Sequence, residues 1–555
     1  MEIHSNDAPK AYDFVIIGGG ISGVSLAREA VLRGYSVALI EKNDFSSGTS
    51  SRSGKLIHGG VRYLETLDLK VVRESCRERE TQLNIAPHLA KTQPILFVSN
   101  SQGKYSPWQL KIALSFYDFV SGNPKNRKSR IFNKKTLRDK EPNLNSNGLK
   151  GAGLFHDLAT NDARLTIDTL KSAISLGADA MNYTQVTDLL YKKGRVCGVK
   201  ATNHLSNECF ELSASYVINA CGPGVDSIRL IDDPTAQRLM SPSKGVHLAF
   251  SNKRLKVNHG VFMHVESDNG RMNWVLPKDD EGYVFAGATD SYYEGDIDNP
   301  TVTDSDVTHV LNATNEMFPN AKLTQQDILS AWSGLRPLVK TESISNASNV
   351  SRRHLITQSS SGLYTLAGGK LSTCRLMAEE TVDFIENQEK LCKTKSLSHV
   401  TPISGGENFS HLTLPNVDVL SDQDIARIQG NFGSNAPQVL KLASFDEDRK
   451  DIFGSNFPLT PAEIRYIARN EHVAHLTDIL IRRTNVFFQL KDAGLSQLEA
   501  IGKLAASELN WSPERLRKEI NMYQEEVAIN REFGSSKPQC LSMNQTKSKL
   551  GGSYD

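Results

Sequence analysis

Residues 14–17, FVII, are continuously apolar, the pattern of a strand buried on both faces of a parallel sheet. A glycine-rich stretch follows, then apolar positions at helical spacing. Val24, Ala27, Val31 and Leu32 share one face, and Gly34 stands where that helix would close. A second apolar run, VALI at residues 37–40, ends on Glu41. The pattern predicts strand, tight turn, helix, strand. Two later segments belong with it: SYVINACG (215–222) reads as a strand ending in small residues, and GLYTLAGGKLST (362–373) reads as a strand and glycine turn entering an amphipathic helix. Between them, GVHLAF, MNWVLP and GYVFAGATD have the alternation and spacing of an antiparallel sheet.

After a polar, glycine-containing linker at 387–410 the pattern becomes helical. LTPAEIRYIARNEH has Thr460 as N-cap, Pro461 at the first helical position and Glu463 closing a capping box. Ser496 and Ser512 open two further helices. The expected organisation is a flexible end at 1–10, a first domain with interleaved β-rich segments at 11–386, the linker, a helical domain at 411–535 for support or association, and a flexible tail at 536–555. One helix stands apart. SPWQLKIALSFYDFV (106–120) puts Trp108, Ile112, Phe116 and Phe119 on one side with Lys111 as its only base. The stripe is read first as a core face, with a membrane-dipping face as the second reading.

Composition narrows the function. A chain of 555 residues needs two or three domains. A net charge of +1 argues against a nucleic-acid binder relying on a phosphate-neutralising surface. The seven cysteines are scattered and never in C-x-x-C spacing, which favours a reducing compartment over a disulfide framework or zinc site. The N-terminus carries no secretion or import pattern, and no apolar run is long enough to span a bilayer.

Gly18, Gly20 and Gly23 form G-x-G-x-x-G between the first strand and helix. The first glycine permits the turn, the second lets backbone approach a pyrophosphate, and the third lets helix and strand pack closely. The helix N-terminus offers unpaired N–H groups to the phosphates. Glu41 follows about twenty residues on, where a carboxylate bonds a ribose hydroxyl. The next loop, with Thr49, Ser50, Ser51, Ser53, Gly54 and Lys55, is rich in small donors. Its composition and placement suit the ribityl chain and pyrophosphate of FAD.

These residues, with TSSRSGKLIHGGVRYLE (49–65), resemble the FAD-dependent glycerol-3-phosphate dehydrogenases, within the flavoprotein group that includes D-amino-acid oxidase. HDLATNDARL, INACGPGVDSI, KGVHLAF, GATDSYYEGD, SGLRPL, AGGKLSTCR and EIRYIARNEHVAHLTDILIRRT extend the likeness over most of residues 12–490 in the family's order. The resemblance implies an α/β fold: a Rossmann-like FAD-binding domain with an antiparallel-sheet substrate domain and a C-terminal helical domain. It implies FAD contacts at Gly18, Gly19, Gly20, Ile21, Ser22, Gly23 and Glu41. Thr49, Ser53, Lys55, Leu56 and Ile57 would add to these, with Val186, Ala220, Gly222, Gly369, Lys370, Leu371 and Ser372.

The implied reaction is oxidation of sn-glycerol 3-phosphate to dihydroxyacetone phosphate, with hydride leaving C2 for flavin N5 and electrons passing to a membrane quinone. A phosphate dianion requires charge-assisted donors, preferably bidentate arginine. Arg62, Tyr63, Arg336 and Arg352 are the candidates, Arg353 competing with the last. His247 is the candidate base and Lys370 a charge beside the ring or the developing alkoxide. A satisfied strand histidine is the alternative for His247, a backbone-bonding role for His58, and a solvated turn for Asp280. Competing functions are a glycerol-3-phosphate oxidase using oxygen, an oxidase of the same fold acting on an amine or hydroxy acid, and a non-catalytic FAD-fold carrier. The expected location is cytoplasmic, peripheral on the inner face of the cytoplasmic membrane, with a homodimer as a candidate assembly.

Overall fold

Strand Ala11–Ile17 runs through the middle of an eight-stranded sheet, with Cys209–Asn219 and Val37–Ile40 as its parallel neighbours. Ile16 pairs with Ile218 on one side and Leu39 on the other, and all three are fully buried. That burial on both faces is why the run carries no polar alternation. Tyr364–Gly368 extends the parallel arrangement beyond Cys209–Asn219, and Asp179–Met181 extends it beyond Val37–Ile40. This computed structural model describes residues 11–61, 69–122, 124–287, 289–340, 353–415, 417–443, 453–454 and 457–531. Arg62, Tyr63, Arg352 and the two expected flexible ends, 1–10 and 536–555, lie outside the described residues.

Helix Ile21–Leu32 packs between Asp162–Ser175 and Cys374–Gln388 against this sheet. A ten-stranded second sheet is antiparallel apart from the pairing of Gly260–Val265 with Lys91–Ser99. Its strand Ser243–Ser251 lies between Tyr283–Gly287 and Ile328–Arg336. The register sets His247 opposite Gly287 and Trp332, and Ser243 opposite Arg336.

Residues 389–408 hold no regular element, yet they are pinned to the first domain: Arg28 Nη2 donates to the Thr401 carbonyl (2.5 Å) and the Ile403 amide to the Ile85 carbonyl (2.9 Å). The helical part begins with Asp422–Phe432 and ends with Pro513–Arg531. Thr460 caps Pro461–Asn470 with the full Glu463 capping box. The helix expected to open at Ser496 starts at Leu498, because Gly494 takes φ +82° and residues 495–497 wind as a tight 3₁₀ turn.

Buried ion pairs clamp the helical part to the first domain. Asp44 accepts from Arg482 and Arg483, Tyr183 donates to Asp478 (2.6 Å), and Arg164 Nη1 donates to Glu471 (2.6 Å). Burial alone would raise these carboxyls. The charges of Arg483 and Arg482 nevertheless hold Asp44 below its ordinary value, and those of Arg164 and Lys171 bring Glu471 down to about 2.

Helix Pro107–Ser121 corrects the first reading of its stripe. Leu110, Leu114 and Tyr117 are its buried face, whereas Trp108, Ile112, Phe116 and Phe119 are 64, 60, 40 and 83 % exposed. Both faces are apolar, and only one meets the protein. No described helix is long and apolar enough to cross a membrane.

Candidate active site

A cavity of about 1690 Å³ opens where the parallel strands end and the second sheet begins. One wall is the first glycine turn. Gly18 takes φ +112°, and a Cβ there would lie 2.8 Å from the Ala220 carbonyl oxygen. At Gly23 a Cβ would sit 1.8 Å from the Gly18 carbonyl oxygen, so helix and strand meet at backbone distance. The N-cap of Ile21–Leu32 is Gly20, which offers no capping side chain, and this end of the helix faces the cavity. The Ile21 amide donates to Ser50 Oγ (2.8 Å), and the positive end of the helix on the cavity is a seat for phosphate.

Glu41 lines the same wall, accepting from the Gly19 amide (2.6 Å) and the Asn43 amide (2.9 Å). Burial raises its carboxyl, against the pull of those two amides. A second glycine turn brings Gly369, Lys370 and Leu371 to the cavity, followed by Ser372, whose buried hydroxyl has no protein partner among the described residues. Two glycine turns, a helix N-terminus and an anchored carboxylate fit a dinucleotide such as FAD.

The opposite wall comes from the second sheet. The His247 ring stacks on Trp332 (centroids 5.1 Å, 23°) and meets Trp274 (5.2 Å). Trp332 Nε1 donates to the Ser53 carbonyl (3.2 Å), tying this box to the loop beside the first domain. His247 Nδ1 is buried without a protein partner among the described residues. Burial, then the charges of Arg336 and Lys55, hold the imidazole well below its ordinary value, so it is neutral at pH 7. Arg336, at the end of Ile328–Arg336, is half-buried and lines the cavity. Its Nη1 donates to Asp290 (3.1 Å) and its Nη2 to the Thr289 carbonyl (3.1 Å). The site thus joins a dinucleotide seat to a neutral imidazole and a fixed cation.

Residues 13–383 match the model of the FAD dependent oxidoreductase family, and residues 392–516 match the C-terminal domain of alpha-glycerophosphate oxidase. The aerobic glycerol-3-phosphate dehydrogenase of Staphylococcus haemolyticus is 36% identical over 96% of this chain and 97% of its own. That of Staphylococcus aureus is 36% identical over 93% of each. The chain belongs to the aerobic glycerol-3-phosphate dehydrogenase family. Among solved structures, the glycerol-3-phosphate dehydrogenase from Bacillus halodurans complexed with FAD superposes with a TM-score of 0.78 at 30% identity, covering 95% of this chain and 97% of that one. The L-alpha-glycerophosphate oxidase from Mycoplasma pneumoniae shares the fold at 18% identity, with a TM-score of 0.56 and coverage of 71% and 99%. FAD is the cofactor of this dehydrogenase family member.

Of the positions the family resemblance implied for FAD, Gly18, Gly20, Ile21, Ser22, Glu41, Thr49, Ser53, Leu56, Val186, Ala220 and Gly222 line the cavity, as do Gly369, Lys370 and Leu371. Gly19, Gly23, Ile57 and Ser372 stand behind its surface. Lys55 does not line the cavity either. Its ammonium is buried and donates to Asp162 Oδ1 (2.7 Å), while the Ser53 hydroxyl takes Oδ2 (2.7 Å). With its ammonium paired to that carboxylate, the 3% exposed Lys55 side chain is not part of the cavity lining.

His58 lines the cavity, while Asp280 forms an outer ion pair with Lys91 (2.6 Å). Gly60 and Val61 line the cavity, and Arg62 and Tyr63 lie outside the described residues. Sequence reasoning did not find Asp162, although it stands within HDLATNDARL. Nor did it place Arg482, Met522 and Glu526 of the helical part on the cavity wall. The doubled arginine of ILIRRT was the available signal for that contact.

Replacing Glu41 by alanine is expected to weaken FAD binding about 10- to 100-fold, the worth of a hydrogen bond to a charged acceptor. Titration of apoprotein with FAD measures it, and unchanged affinity would remove the ribose role.

Proposed function

We propose that this protein oxidises sn-glycerol 3-phosphate to dihydroxyacetone phosphate and passes the electrons to a membrane quinone. The observation carrying the reading is the neutral His247 beside Arg336, in one cavity with Lys370 and the FAD-type glycine turns. Bound FAD supplies the acceptor for the hydride that leaves C2. Glu41 would take the ribose and the Ile21–Leu32 N-terminus the pyrophosphate.

Arg336 would hold the substrate phosphate, with Arg62, Tyr63 and Arg352 as further donors. His247 would accept the proton of the C2 hydroxyl as the hydride departs, so that the carbon loses two electrons and its oxygen one proton. Phosphate binding beside Arg336 offsets the charge that suppresses His247 basicity, so the base strengthens when substrate arrives. Lys370 would stabilise the alkoxide as it forms.

A second reading, oxygen as acceptor, is favoured by the C-terminal match to alpha-glycerophosphate oxidase. An anaerobic visible spectrum tests both. Glycerol 3-phosphate, and neither glycerol nor an amino acid, is expected to bleach the flavin band, with slow return of colour in air. A band that ignores this substrate would overturn the proposal, and rapid return would move the acceptor to oxygen.

A further inference from the structure

We propose that Asp162 is a positioning residue of the active site, holding Ser53, Gly54 and Lys55 in the pose that closes the His247 box. The proposal deepens the reading of His247 as base and rests on it. Asp162 is the first residue of helix Asp162–Ser175 and is fully buried. Its Oδ2 accepts from the Ser53 amide (3.0 Å) and the Ser53 hydroxyl (2.7 Å). Its Oδ1 accepts from the Lys55 ammonium (2.7 Å) and the Ala163 amide (3.0 Å). Both oxygens are thus occupied by one short loop and by the helix that carries them.

The loop needs such a hold. Lys55 takes φ +51°, a left-handed backbone that a lysine keeps only where its surroundings impose it. The Ser53 hydroxyl also accepts from the Lys55 amide (3.0 Å), and the Lys55 carbonyl accepts from the Thr160 amide (3.0 Å). Leu56 and Ile57 then pair with Ala159 and Leu158. Residues 53–57 are therefore bonded along their length to residues 158–162.

Each residue of the loop meets the box. The Ser53 carbonyl accepts from Trp332 Nε1 (3.2 Å). A Cβ on Gly54 would lie 3.4 Å from the Trp274 ring and 3.8 Å from His247 Nε2. The Lys55 ammonium lies 5.7 Å from the centre of the Trp332 ring and 4.9 Å from that of Phe488. Asp162 acts on the imidazole through this loop.

The loop also carries a charge. Burial first, then the charges of Arg336 and Lys55, suppress the basicity of His247. Asp162 fixes where the Lys55 charge stands and offsets it. The rings packed on His247, those of Trp274, Phe285 and Trp332, carry no charge. Beside the Lys55–Asp162 pair, Lys278 donates to the Thr160 carbonyl (3.2 Å), and Glu281 lies 3.9 Å from Lys278 and accepts from Asn485 (2.8 Å). Burial holds Lys278 below its ordinary value and Tyr283 well above its own.

The test uses full-length, FAD-loaded protein. Asp162→Asn keeps the shape of the side chain and leaves the Lys55 ammonium unopposed. It is expected to lower kcat for glycerol 3-phosphate about 10- to 100-fold, as for a displaced reacting group, with KM and flavin content nearly unchanged. The acid limb of kcat/KM should move to lower pH, because an unopposed cation makes the imidazole harder to protonate. Lys55→Met removes that cation, and its limb should move to higher pH. Two members of one ion pair would then shift the profile in opposite directions, which a loss of packing does not do. The double variant leaves no charge of the pair buried alone, and its limb should fall between those of the single variants. With Lys55→Met it carries the test should Asp162→Asn lose its flavin.

Wild-type limbs in Lys55→Met and in the double variant would overturn the proposal, as would shifts of both single variants in one direction. Flavin loss in Asp162→Asn with unchanged kcat per bound flavin would also overturn it and make Asp162 a packing residue. NMR titration of His247 in histidine-labelled enzyme, without substrate, reads the same shifts independently of the reaction. Opposite shifts there, with no turnover in wild type, would refute the reaction and uphold the positioning.

Discussion

His247→Gln is expected to lower kcat for glycerol 3-phosphate by about 10²- to 10⁴-fold, the usual worth of a positioned general base, with flavin content unchanged. Glutamine fills similar space in the tryptophan box and cannot take the hydroxyl proton. The pH profile separates a base from a packing residue. Because burial and the Arg336 charge depress His247 well below 6.5, its protonation should inhibit only on the acid side of that value. The kcat/KM profile of wild-type enzyme should therefore be flat near neutrality on this account and fall at lower pH. The variant should lose that acid limb. A variant within a few-fold of wild type, or one retaining the limb, would place the base elsewhere.

Arg336→Ala should reduce kcat/KM by about 100-fold or more, as expected for charge-assisted hydrogen bonds to a phosphate. FAD retention should not follow it down, because Arg336 belongs to the second sheet and the glycine turns to the first. Its partners Asp290 and Thr289 hold the guanidinium in place, so Arg336→Lys tests geometry: the charge survives and the planar fork does not. Lysine should recover only part of the loss. Alanine should also move the acid limb of the profile upward, since the charge that suppresses His247 is gone. Equal loss of flavin and of turnover would reject the assigned role.

The two predictions bear on residues that sequence reasoning had already chosen, but for reasons it could not supply. KGVHLAF and SGLRPL pointed to His247 and Arg336 through likeness to a family. Strand pairing between Ser243–Ser251 and Ile328–Arg336 is what puts both on one wall. The aromatic box that keeps His247 neutral draws on Trp332 of the adjacent strand and on Trp274 of Arg271–Lys278, two strands away on the other side.

The sequence by itself determined what depends on near neighbours. The strand–glycine–helix unit, the Thr460 capping box and the second glycine turn are local, since a backbone conformation or a cap is settled within a few residues. Only the tertiary structure decided pairings across long loops. Lys55, expected at the cofactor, gives its ammonium to Asp162, 107 positions on. Arg482 and Arg483 reach Asp44 from 438 and 439 positions away and bring the helical part to the cavity. The Pro107–Ser121 helix shows the limit most plainly: periodicity reveals that a face is apolar, but burial is a property of what lies opposite, and nothing in a helix's own spacing specifies that neighbour.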